Sequence, residues 1–120
     1  MYEVRYHPYF KSKDLNKLLP FLIEDFTEIY YPDLQNSPYP GTSRVRKHRL
    51  LNKPLDGYYA VEVDWSEEFE DVISSEKYRI VYSIDEVTKT VYIISFDDHN
   101  PAYDSAKERT KGGKLYRGRS

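Results

Sequence analysis

The clearest periodicity in the chain lies between Lys77 and Tyr103. Tyr78, Ile80, Tyr82 and Ile84 alternate with Arg79, Val81, Ser83 and Asp85. After the polar stretch Asp85–Lys89, Val91, Ile93 and Ser95 alternate with Tyr92, Ile94 and Phe96. Period-two alternation rich in β-branched and aromatic residues predicts two strands of a hairpin. Tyr58 to Asp64 predicts another strand, with Tyr59, Val61 and Val63 on one face and Tyr58, Ala60, Glu62 and Asp64 on the other. Tyr2, Val4 and Tyr6 alternate with Glu3 and Arg5 in a short first strand, which His7-Pro8 ends.

Between these strands the period changes. Residues 10–19 predict a helix with Ser12 as its N-cap. Pro20 is tolerated only at the start of a second helix. There Leu22, Ile23, Phe26, Ile29 and Tyr30 recur at spacings of three and four, with Asp25 and Glu28 on the wetter side. Pro32, then Asn36 to Gly41, close it. Residues 43–50 are partly extended, and Lys53 to Gly57 form a turn. Ser66 to Ile73 reads as one helical turn or a charged loop. Pro101 to Thr110 predicts a short C-terminal helix capped by Asn100 and broken by Gly112-Gly113. The order β-α-α-β-β-β predicts an α+β fold, a helical hairpin packed on an antiparallel sheet of about four strands.

A chain of 120 residues, 39% apolar, has the size of one domain with one core. Thirteen tyrosines suit half-buried sheet surfaces and can also stack on bases. The absence of cysteine excludes disulfides and thiolate chemistry and fits a reducing cytoplasm. No apolar run approaches a membrane span, and MYEVRYHPYF lacks the apolar centre of a signal peptide.

The net charge of −2 argues against a general nucleic-acid binder, but the charge is segregated. Residues 43–53 hold Arg44, Arg46, Lys47, Arg49 and Lys53 and no acid. Residues 62–71 hold Glu62, Asp64, Glu67, Glu68, Glu70 and Asp71 and no base. The tail from Lys107 is basic again. Such segregation can build a local positive surface on an acidic protein.

Several strings in this order resemble the RelE/ParE superfamily of toxins from type II toxin–antitoxin systems. They are NSPYPGT after the helical hairpin, RVRKHRL, DGYYAVEV, YRIVY and HNPAY. The resemblance covers roughly residues 2–109. It implies a single domain over 1–111; from the Gly112-Gly113 break onward, 112–120 reads as a flexible basic tail. It also implies a sheet with two helices on one face and a concave active site on the other. In the RelE-like branch the activity would be cleavage of mRNA in the ribosomal decoding site; the ParE branch poisons DNA gyrase instead. Both are held inactive by an antitoxin that wraps the toxin.

Metal-independent RNA cleavage needs a base for the 2′-hydroxyl, a cation for the phosphorane and an acid for the leaving 5′-oxygen. By the resemblance, Arg79 holds the scissile phosphate, for which a guanidinium is well shaped; its structural alternative is an ion pair with Glu62 or Asp64. His99 and Tyr103 match the terminal His-x-x-x-aromatic of one branch, as general acid and as a stacking or phosphate-binding group. Asp97 and Asp98 would favour a protonated His99. Ala60 and Glu62 stand where the lysine-using branch has lysines, which leaves Glu62 or His48 as the base. Arg44, Arg46, Lys47, His48 and Arg49 would bind ribosomal or messenger phosphate, or an acidic antitoxin. A non-catalytic interaction protein on the same fold is the third reading, favoured by the pI of 5.9.

Overall fold

The computed structural model describes residues 1–69 and 72–111, with the backbone alone for 65–69 and 72–76. Strands β1 (Glu3–Tyr6), β2 (Lys47–Arg49), β3 (Tyr59–Phe69), β4 (Val72–Asp85) and β5 (Thr90–Asp98) form one sheet in the order β1-β5-β4-β3-β2. Three pairings are antiparallel, but β1 runs parallel to β5. The sheet therefore has five strands rather than about four, and it is mixed. Parallel neighbours need a long crossover, and everything from the helical hairpin to β4 lies between β1 and β5.

The hairpin begins with a π-helical turn (Phe10–Asp14) and a 3-10 turn (Leu15–Lys17). Ser12 lies inside the first turn and caps nothing; the flanking residue is Tyr9. Pro20 opens α1 (Pro20–Asp25), as its fixed φ and missing N–H allow. A second π-helical turn (Phe26–Tyr30) leads into α2 (Tyr31–Asn36). Pro32 does not close this helix: it occupies the first turn of α2, where the π turn has already released the amide that proline lacks. The extra residue per turn also rephases the apolar stripe. Leu22, Phe26 and Leu34 are buried, whereas Ile29 is rotated outward and is 46% exposed.

Each sheet face is covered. On one face Val61, Val63, Ile80, Tyr82, Ile93 and Phe96 pack against Phe10, Leu22, Phe26 and Leu34. On the other, Tyr58, Val81, Tyr92 and Ile94 pack against Ala102 and Ala106 of α3 (His99–Arg109). Strict alternation holds along β4 but breaks in β5. A bulge between Val81 and Tyr82 pairs Val81 with Ser95 and Tyr82 with Ile93, so Ile93 and Phe96 share a face. Helix α3 starts two residues before the predicted Pro101; Asn100 lies within it, and Asp98 precedes it.

Past the pairing of Tyr78 with Asp98, β3 and β4 continue as a two-stranded arm, from Asp64 opposite Lys77 to Phe69 opposite Val72. Residues 66–69 are thus strand, not a helical turn or loop, because the ladder with 72–75 satisfies their backbone groups. The remaining acidic pair at 70–71 and the basic tail at 112–120 lie outside the described residues.

Two polar knots fasten the periphery. In the first, Glu86 of the β4–β5 turn accepts from the hydroxyls of Tyr2 (2.8 Å) and Tyr39 (2.5 Å) and pairs with Lys89. Lys89, then the two hydroxyls, hold this carboxyl down at about 2. In the second, Arg109 forks onto Asp14 (Nη1–Oδ2 2.7 Å, Nη2–Oδ1 2.8 Å) and also donates to the Ile94 carbonyl. Asp14 additionally accepts from the Phe96 amide at 2.8 Å. The two side chains are 7% and 1% exposed.

Two measurements check these knots. Breaking a buried pair strands one charge, so Arg109→Ala should cost about 3–5 kcal/mol in urea unfolding, while Asp14→Leu combined with Arg109→Met should recover most of that loss. Glu86 is depressed in the folded state relative to its ordinary 4.5, so its contribution is present above pH 4.5 and lost as pH falls towards 2. The midpoint of unfolding for Glu86→Gln should therefore fall less across that window than the wild type's.

Candidate functional site

The uncovered part of the α3 face is the end where β2, β3 and β4 meet the first turn of α3. Register places the groups. Glu62 on β3 pairs with Arg79 on β4, and His48 on β2 pairs with Ala60. Alternation then points Arg46, His48, Glu62, Asp64 and Arg79 to one side. Arg79 donates to Asp64 Oδ1 (2.6 Å) and to the Tyr78 carbonyl (2.8 Å), with Nη2 3.9 Å from Glu62. Only 8% of its side chain reaches solvent, and its Nε–H has no partner among the described residues. Both carboxylates weighed as ion-pair partners for Arg79 are therefore beside it, yet its buried Nε–H has no partner among the described residues.

Glu62 is the hub of the charges. Besides Arg79, it has Arg46 Nη2 and His48 Nδ1 each at 3.5 Å. The Glu62 amide also bonds the Arg46 carbonyl, which locks β2 to β3 at this level. The contact with Nδ1 leaves His48 Nε2 directed at the Tyr103 hydroxyl, 3.5 Å away. A carboxylate behind one ring nitrogen holds a proton there and leaves the other nitrogen as acceptor.

Helix α3 supplies the remaining two groups. Residues four apart share a helix face, so His99 and Tyr103 stack edge-on, with centroids 4.9 Å apart. Tyr103 is half-buried, and desolvation raises its hydroxyl pKa, with the Arg79 guanidinium pulling the other way. It is a neutral donor near pH 7. His99 is exposed and bonded to the Asn100 side chain at 2.8 Å. Asp97, expected to charge it, is tied instead to Lys17 at 2.6 Å. His99 and Arg79 line one open depression of about 510 Å³, together with Lys77, Asp98, Asn100 and Pro101.

The basic segment divides. Arg44, Arg46 and Arg49 are exposed, but Lys47 is not available to RNA. Its Nζ is fully buried, 2.6 Å from Asp33 of α2 and 2.8 Å from Ser43 Oγ. The alternation that turns His48 to the site turns Lys47 to the helices. The sequence reading missed Lys77 and Asn100; their positions beside Arg79 and His99 were the only signal. Tyr103 offers a direct check by site-labelled NMR titration. Its hydroxyl should ionise above pH 10 in the wild type, and at higher pH still in Arg79→Met, because the lowering cation is gone.

No protein-family model matches this chain, and no curated protein does. Solved structures do. One chain of the RelBE2 toxin–antitoxin complex of Mycobacterium tuberculosis aligns with a TM-score of 0.58 and 26% identity, over 82% of this chain and 98% of that one. The free-state structure of a double arginine-to-alanine variant of the E. coli toxin RelE aligns with a TM-score of 0.60 and 18% identity, over 91% and 97%. The chain has the RelE toxin fold.

Proposed function

We propose that this protein is the toxin of a type II toxin–antitoxin pair, an endoribonuclease that cuts mRNA on the ribosome without a metal. The likeness to RelE and to the RelBE2 complex supports the toxin role and a cognate antitoxin. The observation that carries the chemistry is Arg79: a nearly buried guanidinium, braced by Asp64 and Glu62, with an Nε–H that is unpartnered among the described residues and an open depression shared with His99. A buried donor without an acceptor is costly, and a phosphate oxygen would satisfy it.

In this reading Arg79 binds a non-bridging oxygen of the scissile phosphate and stabilises the phosphorane. His48 takes the 2′-hydroxyl proton through Nε2, with Glu62 orienting its ring. The alternatives for the base were Glu62 and His48. Glu62, held between the guanidinium groups of Arg46 and Arg79 and facing His48 Nδ1, suits the orienting role better. His99 returns a proton to the leaving 5′-oxygen, and Tyr103, neutral and in contact with both histidines, donates to the phosphate or stacks on a base. The products are a 2′,3′-cyclic phosphate and a 5′-hydroxyl. Arg46, exposed and 3.5 Å from Glu62, and the exposed Arg44 would hold ribosomal or messenger phosphate with salt-sensitive affinity, whereas Arg49 shares the strand face of Lys47 and is turned away from His48. The setting is the cytoplasm, where translated mRNA is found.

Induced expression tests this. Wild-type protein should arrest growth, and primer extension should show cuts inside codons. Arg79→Ala and His99→Ala should each relieve arrest, and His48→Ala should lower cleavage by about 10²–10⁴-fold, the usual contribution of a general base. Arrest with DNA damage and intact mRNA would replace this reading with gyrase inhibition.

A further inference from the structure

His7 lies at the far end of α3 from the candidate site, where β1, the first helical turn and the end of α3 meet. Only 8% of it reaches solvent. Its amide donates to the Ile93 carbonyl (2.8 Å) and its carbonyl accepts from the Phe10 amide (2.9 Å), so the residue joins β1 to the hairpin. Its Nδ1 accepts from the Tyr9 amide at 3.1 Å. That is the geometry of an Asx turn, with an imidazole nitrogen in place of the side-chain oxygen. An accepting Nδ1 carries no proton. The imidazole lies against the Tyr9 ring (centroids 5.4 Å apart), and Arg109 Cζ is 6.0 Å from the centre of the same ring. Burial, then the Arg109 guanidinium, hold the His7 pKa below its ordinary 6.5, while the Asp14 carboxylate pulls the other way. The remaining charged or titratable neighbours are Lys13, over the Tyr9 ring, Arg5, bonded to Glu3, and Tyr92 of β5, the register partner of Arg5.

We propose that His7 is a proton-sensitive latch on α3: neutral, it permits the Asp14–Arg109 pair, and protonated, it loosens that pair and frees the end of the helix. Two geometric consequences carry this. A proton on Nδ1 sets one N–H against the Tyr9 N–H and breaks the turn that leads into Phe10–Asp14. The imidazolium also adds a second cation beside Arg109 and draws on Asp14, both of whose oxygens Arg109 already engages. Like charges repel strongly where solvent is excluded. Helix α3 is then held less tightly at its last turn, and His99 and Tyr103 on its first two turns lose their fixed position on the sheet. The sign follows from the direction of the shift. A histidine held below 6.5 in the folded chain contributes fully above pH 6.5, and that contribution is lost as pH falls through the folded value. The latch does not depend on the ribonuclease reading, and none of its readouts requires RNA cleavage.

The full chain would be followed by NMR from about pH 7.5 to about pH 5, the span over which histidines titrate. The His7 ring signal should titrate below 6.5. Two amides report on the latch: that of Phe96, which donates to Asp14, and that of Thr110, which donates to the Ala106 carbonyl at the end of α3. After correction for intrinsic exchange, their hydrogen-exchange protection should fall by up to about tenfold per pH unit below 6.5, the linkage of one proton to opening. His7→Asn keeps an acceptor for the Tyr9 amide through an ordinary Asx turn but cannot titrate, so its protection should stay flat over the same span. A His7 midpoint at or above 6.5 would overturn the latch, and so would an equal fall of protection in His7→Asn. If that variant does not fold, the wild type decides alone: a midpoint below 6.5 with falling protection at both amides supports the latch, and the same midpoint with unchanged protection overturns it.

Discussion

The pair between Asp14 and Arg109 is the constraint on which the arrangement of the site depends. Asp14 ends the first turn of the helical hairpin, and Arg109 ends α3. Between them they take in the Phe96 amide and the Ile94 carbonyl of β5 at its bulge. Two charges out of water are costly unless every hydrogen-bonding group is matched, and here both carboxylate oxygens and both terminal guanidinium nitrogens are engaged. The match exists in one arrangement of hairpin, strand and helix. It sets where α3 lies on the sheet, and with α3 it sets His99 and Tyr103.

At the opposite end of α3 the electrostatics are built differently. The sheet brings one guanidinium, two carboxylates and one imidazole together at the β2–β3–β4 junction. Asp64 and Glu62 offset the charge of Arg79 while fixing its plane, and Glu62 in turn fixes the ring of His48. An acidic protein can thereby present a phosphate-sized opening without a broad basic face. The positive edge is local, made by Arg46 beside Glu62, just before the three-residue strand β2. Of the acidic residues between 62 and 71, Glu62 and Asp64 belong to the site, while Glu67 and Glu68 lie further along β3, on an arm that leaves the sheet.

Much of this was legible in the chain. Alternation in Tyr78–Asp85 and Tyr58–Asp64 marked both strands and their faces, because each face meets its own apolar layer. What escaped had physical causes. π-helical turns have no simple periodic signature, so Ile29 was assigned inward and Pro32 was read as a stop. A bulge inserts one residue without any composition cue, so the faces of β5 were misassigned after Ile94. The parallel pairing of β1 depends on a partner far away in the chain, as with Val4 and Val91. In the basic segment, charge alone could not say which residues faced solvent; a strand alternates, and Lys47 turned inward to Asp33. Arg79, His99, Tyr103 and Glu62 were named from motif order, yet the bridging position of His48 between Glu62 and Tyr103 needed the β2–β3 register.

The central claim is that a guanidinium and two histidines, without a metal, direct a 2′-hydroxyl at its own phosphate. The most direct measurement is the end chemistry of RNA cut by the purified protein on programmed ribosomes. The account predicts fragments ending in 2′,3′-cyclic phosphate or 3′-phosphate, with 5′-hydroxyl partners. Fragments with a 3′-hydroxyl and a 5′-phosphate would contradict it, since they require an attacking water rather than the neighbouring hydroxyl.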